Sequence, residues 1–156
     1  MSWAHCELVR ASIEEIQNRR VFSLLEAVYA PIWIDHPVFY RPLGMDGAPV
    51  PPGGVPTPRD DLRASAEFMA ARFPEIETRI DEMFDGADQS VTVIWTTRAK
   101  HRSGREVSYR GIEVFRVEDG RIAEIWTSWD RLGLLQQLGL VPDTEILMAQ
   151  EQALGS

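Results

Sequence analysis

The stretch DGRIAEIWTSWDRLGLLQQLG, residues 119–139, combines a turn, a strand and a short helix in one run. Its opening Asp-Gly pair is a dipeptide that occupies the positive-φ positions of hairpin turns. The β-rich run 121–129 follows and predicts a strand that ends at an acid, Asp130. The apolar segment 132–138 then predicts a short helix. A strand that brings a carboxylate to an aromatic-rich interior indicates a candidate chemical site.

Three further β-rich runs precede this strand. The hydrophobic period changes from helical to two at Glu75, and the runs cover residues 75–85, 90–101 and 106–117. Ser-Gly and Asp-Gly turns separate them, as expected for an antiparallel meander.

Helical patterns occupy the first half of the chain. Apolar residues recur at helix spacing in residues 9–28, until Pro31 ends the pattern. Thr57 as N-cap and Pro58 at the first helical position predict another helix, which ends before Pro74. Its apolar face is formed by Leu62, Ala66, Met69 and Phe73. Helices followed by a curled sheet predict an α+β domain in which the helices cover one sheet face.

Residues 41–58, RPLGMDGAPVPPGGVPTP, are rich in proline and glycine. Proline fixes φ and removes a backbone donor, so this segment is predicted to be neither a helix nor an inner strand. Long loops in compact domains are either functional flaps or inert excursions, and the sequence leaves both open.

The composition predicts one globular domain over residues 1–156. A net charge of -8 argues against a nucleic-acid surface, and no apolar run approaches the length of a membrane span. The single Cys6 excludes an intrachain disulfide and is compatible with the cytoplasm. The early acids Glu7, Glu14 and Glu15 argue against a signal peptide.

Strict alternation assigns the strand side chains to two faces. The face expected to meet the helices carries polar groups among aromatic ones: His101, Tyr109, Glu113, Ser128 and Asp130 amid Trp95, Phe115 and Trp126. A carboxylate buried there must be paired, hydrated or protonated, so a cavity that holds ligand and water is expected.

The opposite face is too apolar for simple exposure, since it carries Ile94, Ile112, Val114, Ile125 and Trp129. We expect a homodimer contact across this outer sheet face, with a rim made of Arg98, Arg110 and Arg116.

The stretch FRVEDGRIAEIWTSWDRLGLLQQLGLVP resembles the C-terminal signature of SnoaL-like polyketide cyclases and ester cyclases, within the NTF2-like superfamily. A weaker resemblance extends to Asp35-His36-Pro37, to the helix end at Phe73-Pro74 and to residues 95–104. It implies a cone-shaped half-barrel: N-terminal helices over a strongly curved, mostly antiparallel sheet, with a short C-terminal helix. The family implies an apolar pocket, frequent dimers and no metal or organic cofactor.

The resemblance also implies roles for residues. Asp130 matches the acid/base aspartate of the family's Trp-x-x-x-Asp motif, and His36 matches a pocket-facing histidine. Glu113 is a candidate second acid, or the group that raises the pKa of Asp130. The candidate substrate-binding residues are Trp126, Ser128, Tyr109, Trp95, Phe115, His101, Trp33 and Tyr29. The family's insert after the His-x-x-Gly turn is missing, and the loop 41–58 is unusual, so the substrate stays open.

Each candidate has a plainer alternative. Asp130 precedes a helix and could cap it, while Glu113 could pair with a neighbouring arginine. His36 could be a satisfied histidine at a strand edge, and His101 could be solvated beside Lys100. Three scattered histidines form no metal-ligand pattern, so no metal site is predicted.

Three functions remain open at this point. The first is a cofactor-independent cyclase, in which a carboxylate starts an intramolecular aldol-type reaction on an apolar, carbonyl-rich molecule of secondary metabolism. The second is an epoxide hydrolase, isomerase or dehydratase of the same superfamily. Thr127 and Ser128 stand where the hydrolase would carry an Arg-Asp pair, which argues against that enzyme. The third is a non-catalytic, dimeric ligand-binding module, because one fold hosts many functions.

Overall fold

A computed structural model describes residues 2–37 and 51–155. The helices are α1 (Ser2–Ala11), α2 (Leu25–Val28), α3 (Asp61–Arg72), α4 (Arg131–Gln137) and α5 (Thr144–Gln152), with a π-helical segment at Ser12–Asn18 and a 3-10 turn at Phe22–Leu24. The strands are β1 (Tyr29–Pro37), β2 (Val55–Pro58), β3 (Glu75–Asp85), β4 (Ser90–Lys100), β5 (Glu106–Glu118) and β6 (Arg121–Trp129). In the described ranges, no helix is long and apolar enough to cross a membrane.

All six strands form one curved, open sheet in the order β2-β1-β6-β5-β4-β3. The strands β3 to β6 are the predicted antiparallel meander, and β1 joins β6 in parallel. The N-terminal helices pack against one face of this sheet, which confirms the α+β prediction. Part of the loop predicted at 41–58 belongs to the sheet, because Val55–Pro58 pairs with β1 as an edge strand. The remainder of that loop before residue 51 lies outside the described residues.

The predicted start of the α3 helix is wrong by three residues. Thr57 and Pro58 belong to β2, where Thr57 pairs with Trp33. The helix begins only at Asp61, and Asp60 in the N-cap position makes no side-chain capping bond. An edge strand tolerates proline because the missing N–H faces away from the partner strand. Pairing with β1 therefore overrides the local helix-start signal.

The core lies between the N-terminal helices and the concave sheet face. The predicted helix-spaced residues Val9, Ile13 and Ile16 are all buried there. They belong to one cluster with strand residues that include Val91, Val93, Phe115, Ile122 and Ile125. Burial of this apolar surface is the main force that holds the helices on the sheet.

Asn18, at the end of the π-helical segment, ties the helices to the sheet edge. Its Nδ2 donates to the Thr78 carbonyl at 2.7 Å, and its Oδ1 accepts from the Thr78 N–H at 2.9 Å. The Thr78 hydroxyl lies 2.7 Å from that of Thr97 on the next strand. The amide of Asn18 thus satisfies β3 backbone groups that an edge strand otherwise leaves open.

Asn18→Ala is expected to destabilise the fold by about 1–3 kcal/mol, because it leaves two partly buried β3 backbone groups without their partner. Urea unfolding measures the difference from the parent chain. Gln17→Ala is the matched control, since Gln17 is the exposed neighbour on the same segment. Equal urea midpoints for Asn18→Ala and Gln17→Ala would show that the hydrogen bonds between Asn18 and Thr78 do not stabilise the fold.

Candidate functional site

Glu113 is the acid of the interior. It lies in the middle of β5, opposite Val93 on β4 and Thr127 on β6. Its inward-facing neighbours along β5 are Gly111 and Phe115, both buried. The Thr127 hydroxyl donates to Oε1 of Glu113 at 3.1 Å. The alternation that placed Glu113 in the interior is therefore correct. Its hydrogen-bond partner on β6 is a threonine hydroxyl, not the arginine of the plainer alternative.

Burial is the main reason that the pKa of Glu113 rises from 4.5 to about 7. The hydrogen bond from Thr127 acts in the opposite direction and lowers this pKa, as does the nearby indole of Trp95. The carboxylate of Asp35 raises it further by charge repulsion. A carboxyl with a pKa near neutrality can both accept and return a proton under ordinary conditions, which is the requirement for a general acid or base.

A β-bulge in β6 overturns part of the predicted interior. Arg116 pairs with Glu124 but the next residue, Val117, pairs with Ile122, so Ala123 has no partner on β5. The extra residue reverses the alternation beyond it. As a result, Ile125, Thr127 and Trp129 point inward, whereas Trp126 and Ser128 point to the outer face. The contacts agree: Trp129 packs 5.2 Å from the Tyr109 ring, and Arg116 lies over the Trp126 ring at 5.1 Å.

Asp130 lies past the end of β6 and is exposed. Its Oδ1 accepts from the Gly133 N–H at 2.8 Å, so its carboxylate caps α4. A Cβ at position 133 would clash with this carboxylate, so the glycine permits the close approach. The expectation that Asp130 faces the interior with Glu113 is wrong, because the bulge and the strand end turn it to solvent. The catalytic role implied by the resemblance stays a prediction.

His36 lies on the outer face as well. Its ring stacks on Trp126 with centroids 4.4 Å apart and an interplanar angle of 4°. Its Nε2 lies 2.9 Å from Oε2 of Glu124, and the Arg116 guanidinium reaches the other oxygen of Glu124 at 3.4 Å. On β1 it is the neighbour, Asp35, that shares the inward face with Trp33. His36 and Glu113 are therefore on opposite sides of the sheet.

Several aromatic side chains belong to the buried interior on the same sheet face as Glu113. Tyr29, Trp33, Trp95, Tyr109 and Phe115 are all buried. Their role in substrate binding stays a prediction. The Tyr29 hydroxyl lies 2.6 Å from that of Ser12, and burial raises the pKa of Tyr29 above its usual value. Burial likewise raises the pKa of Tyr109, against the effect of a hydrogen bond with Thr97. Both tyrosines stay neutral hydroxyls near pH 7.

His101 lies just beyond β4, away from this group. Its ring packs edge-on against Phe73 at 5.2 Å, and its Nδ1 lies 2.8 Å from the Ser103 hydroxyl. The prediction that His101 belongs to the interior set with Glu113 is not supported, since these contacts hold it at the turn between β4 and β5.

A cleft of about 1340 Å³ among the described residues does not include Glu113 in its lining. It is an open groove at the β3 side of the sheet, lined by charged residues that include Arg19, Arg79, Arg98, Glu77 and Glu106. An exposed groove of mixed charge lacks the apolar walls of a typical small-molecule site. The side chains in the interior near Glu113 include the apolar and aromatic residues Trp95 and Phe115. Among residues 2–37 and 51–155, no group of three or more His, Cys, Asp or Glu side chains could hold a metal ion.

Sequence reasoning missed Asp35, Thr127 and Trp129 as residues of this site. Asp35 had a usable signal, because it alternates with the aromatic Trp33 on the same strand. The bulge is visible in the burial of Ile122 and Ile125, which both face the core although they are three residues apart. A regular strand cannot place two such residues on one face.

Comparison with known proteins agrees on a family and a fold. The sequence model of SnoaL-like polyketide cyclases matches residues 7–138. Wild-type IdmH from Streptomyces antibioticus, a proposed polyketide cyclase, is 24% identical with a TM-score of 0.72, and the match covers 86% of this chain and 98% of that chain. A proposed polyketide cyclase from Acidithiobacillus ferrooxidans is 20% identical with a TM-score of 0.71, covering 89% and 96% of the two chains.

AclR from Streptomyces galilaeus, a proposed hydroxylase, is 19% identical with a TM-score of 0.71, covering 96% of this chain and 95% of that chain. No curated protein sequence matches the chain. The structural likenesses confirm the fold, helices over a curved open sheet of the NTF2-like type, which the resemblance implied.

Glu113→Gln is expected to stabilise the protein more at pH 8 than at pH 4. The raised pKa means that the folded state holds the proton more tightly than the unfolded chain, so wild-type stability falls as pH rises from 4.5 to about 7. Above pH 7 the full penalty applies, at most about 3 kcal/mol. Urea unfolding at the two pH values measures the difference.

Glu106→Gln, on the same strand but exposed, serves as the control and should show little pH dependence relative to wild type. A Glu113→Gln effect that is the same at both pH values would show that this carboxyl has an ordinary pKa.

Proposed function

Because the chain belongs to the SnoaL-like polyketide cyclase family, we propose that it catalyses a cofactor-independent cyclisation of a carbonyl-rich, apolar small molecule of secondary metabolism, with Glu113 as the acid/base group. The family supports the reaction class, and the site supports the residue. The proposed chemistry is an intramolecular aldol-type or related reaction.

The observation that carries the proposal is the Glu113 carboxyl in an aromatic interior. Desolvation makes the ionised form a stronger base than an exposed glutamate, yet a pKa of about 7 leaves much of it ionised at neutral pH. General bases are most effective when their pKa lies near the operating pH. Asp35 contributes to this tuning, since its charge raises the pKa of Glu113.

The reaction combines two proton transfers with the formation of one carbon–carbon bond. The Glu113 carboxylate removes a proton from a carbon between two carbonyl groups, and the electron pair moves onto the adjoining carbonyl oxygen to form an enolate. The enolate carbon then forms a bond to a second carbonyl carbon of the same molecule, whose oxygen becomes an alkoxide. This alkoxide takes the proton back from Glu113, so no electrons are gained or lost. Acid–base catalysis of this kind contributes about 10²–10⁴-fold, and positioning adds more.

The buried aromatic rings suit an apolar substrate. Trp33, Trp95 and Phe115 present ring surface, and large aromatic side chains bury the most apolar area per residue. Such walls exclude water from the reacting carbons and strengthen every charge interaction inside.

The matched pair Glu113→Gln and Asp130→Asn separates the two candidate acids. With aromatic poly-β-carbonyl compounds and epoxides as substrates, Glu113→Gln is expected to lower kcat about 10²–10⁴-fold, because it removes the base. Asp130→Asn keeps a good helix cap and should change kcat little. If Asp130→Asn lowered kcat strongly and Glu113→Gln did not, the acid/base role would belong to Asp130 and not to Glu113. Binding of these compounds without turnover by any form would overturn the enzymatic proposal.

The outer sheet face supports a homodimer as the assembly of this enzyme. The bulge moves Ile125 and Trp129 off this face and brings Trp126 onto it, so the predicted apolar set is corrected. Its apolar residues are now Phe84, Ile94, Ile112, Val114 and Trp126, of which Phe84 and Ile112 are about half exposed. Arginines and acids, including Arg116 and Glu124, surround them. A two-fold contact brings such a patch against itself, with apolar centre on apolar centre and opposite charges at the rim.

Ile112→Glu is expected to convert the dimer to a monomer, because it places a charge at the centre of the proposed contact. Light scattering at micromolar concentration measures the mass. The control is Leu140→Glu, which changes an exposed residue after α4 and should leave the dimer intact. A monomeric parent protein would contradict the proposed assembly.

A further inference from the structure

Trp95 carries a buried indole N–H that makes no hydrogen bond of good geometry among residues 2–37 and 51–155. The indole is nevertheless close enough to Glu113 to act on its carboxyl as a hydrogen-bond donor, which lowers the pKa of that carboxyl. Leaving a buried donor unpaired costs free energy, so such groups commonly have a function or a partner in another state. We propose that Trp95 is a positioning residue for Glu113: its indole N–H donates to the Glu113 carboxylate once that group ionises, and Gly111 holds the indole in place. This inference rests on the proposed acid/base role of Glu113.

Gly111 fixes the indole by its lack of a side chain. Trp95 and Gly111 are directly paired across β4 and β5. A Cβ at position 111 would clash with Cζ2 of the indole and would lie only 2.7 Å from Cε2, the atom bonded to the indole nitrogen. The ring therefore lies against the β5 backbone. Glycine weakens a strand interior and often marks a close approach of this kind.

Glu113 lies within reach of this indole. It follows Gly111 by two residues on the same inward face, which makes it the diagonal neighbour of Trp95. Diagonal neighbours are about 7–8 Å apart at the backbone, a distance that an indole ring spans. The effect of Trp95 on Glu113 has the expected sign, because the indole lowers the pKa of the carboxyl.

The two protonation states of Glu113 need different numbers of donors. The Thr127 hydroxyl already donates to one oxygen. An ionised carboxylate has room for about four hydrogen bonds, whereas a protonated carboxyl uses one oxygen as a donor. The unpaired indole N–H is thus a second donor that only the ionised state requires.

Other titratable groups around Glu113 do not supply this donor. Asp35 on β1 repels the ionised form. Tyr29 couples to Glu113 by charge, but its hydroxyl is bonded to Ser12 beneath the helices. Tyr109 lies further along β5, and its hydroxyl is engaged by Thr97. On the helix side, Ser12 is the group that meets this cluster. Trp95 remains as the donor on β4.

The test follows the indole and the carboxyl by NMR during a pH titration. In wild type, the Trp95 indole proton is expected to move downfield as pH rises, with the same midpoint as the Glu113 carboxyl. The indole of Trp33, buried and also unpaired, is the internal control and should stay constant. Trp95→Phe should raise the Glu113 midpoint by about one pH unit, since a donor to the charged form is lost. Gly111→Ala should also raise the Glu113 midpoint, because the added methyl group displaces the Trp95 indole.

Ile94→Val, next to Trp95 but on the outer face, is the control variant and should leave the midpoint unchanged. A Glu113 midpoint near 7 that neither Trp95→Phe nor Gly111→Ala moves would overturn this inference and leave the proposed function standing. A wild-type midpoint near 4.5 would overturn the proposed function itself. If Trp95→Phe does not fold, a wild-type indole signal that fails to titrate with Glu113 is enough to contradict the inference.

Discussion

One unpaired residue, Ala123 in β6, decides which side chains share the interior with Glu113. Before it, Ile122 points into the core; after it, Ile125 does so as well. Without the extra residue, Trp126 would face inward and Thr127 outward, and Glu113 would lose its hydroxyl donor. The bulge therefore sets both the packing of the cone and the environment of its acid.

A buried acid costs stability unless its surroundings compensate for it. Here the compensation is partial: Thr127 supplies one bond and the carboxyl shifts its pKa to about 7 instead of staying fully charged. The protein thus accepts a pH-dependent loss of stability at one residue. Such a loss is typical of reactive groups, because their function requires a pKa that differs from its value in water. The bond between Ser12 and Tyr29 shows the contrasting case, a buried polar pair that is satisfied and inert.

The sequence predicts most of the fold because its signals are local and redundant. The meander from Glu75 to Trp129 has alternation, turn residues and β-branched side chains that agree with one another. The start of α3 fails because Thr57 and Pro58 join a strand through contacts with distant residues. The site is only half predictable for a similar reason. Alternation finds Glu113, but the outward turn of Trp126 and Asp130 depends on one register shift that no single residue announces.

The proposed chemistry depends on Glu113 as an interior carboxyl whose pKa lies near neutrality. The most direct test is a ¹³C NMR titration of the side-chain carboxyl carbons of labelled protein, with the Glu113 signal assigned by its loss in Glu113→Gln. We expect a midpoint near 7 for this signal, well above the ordinary 4.5 of a glutamate. A midpoint near 4.5 would contradict it and would mean that the carboxyl is solvated and has no special chemistry.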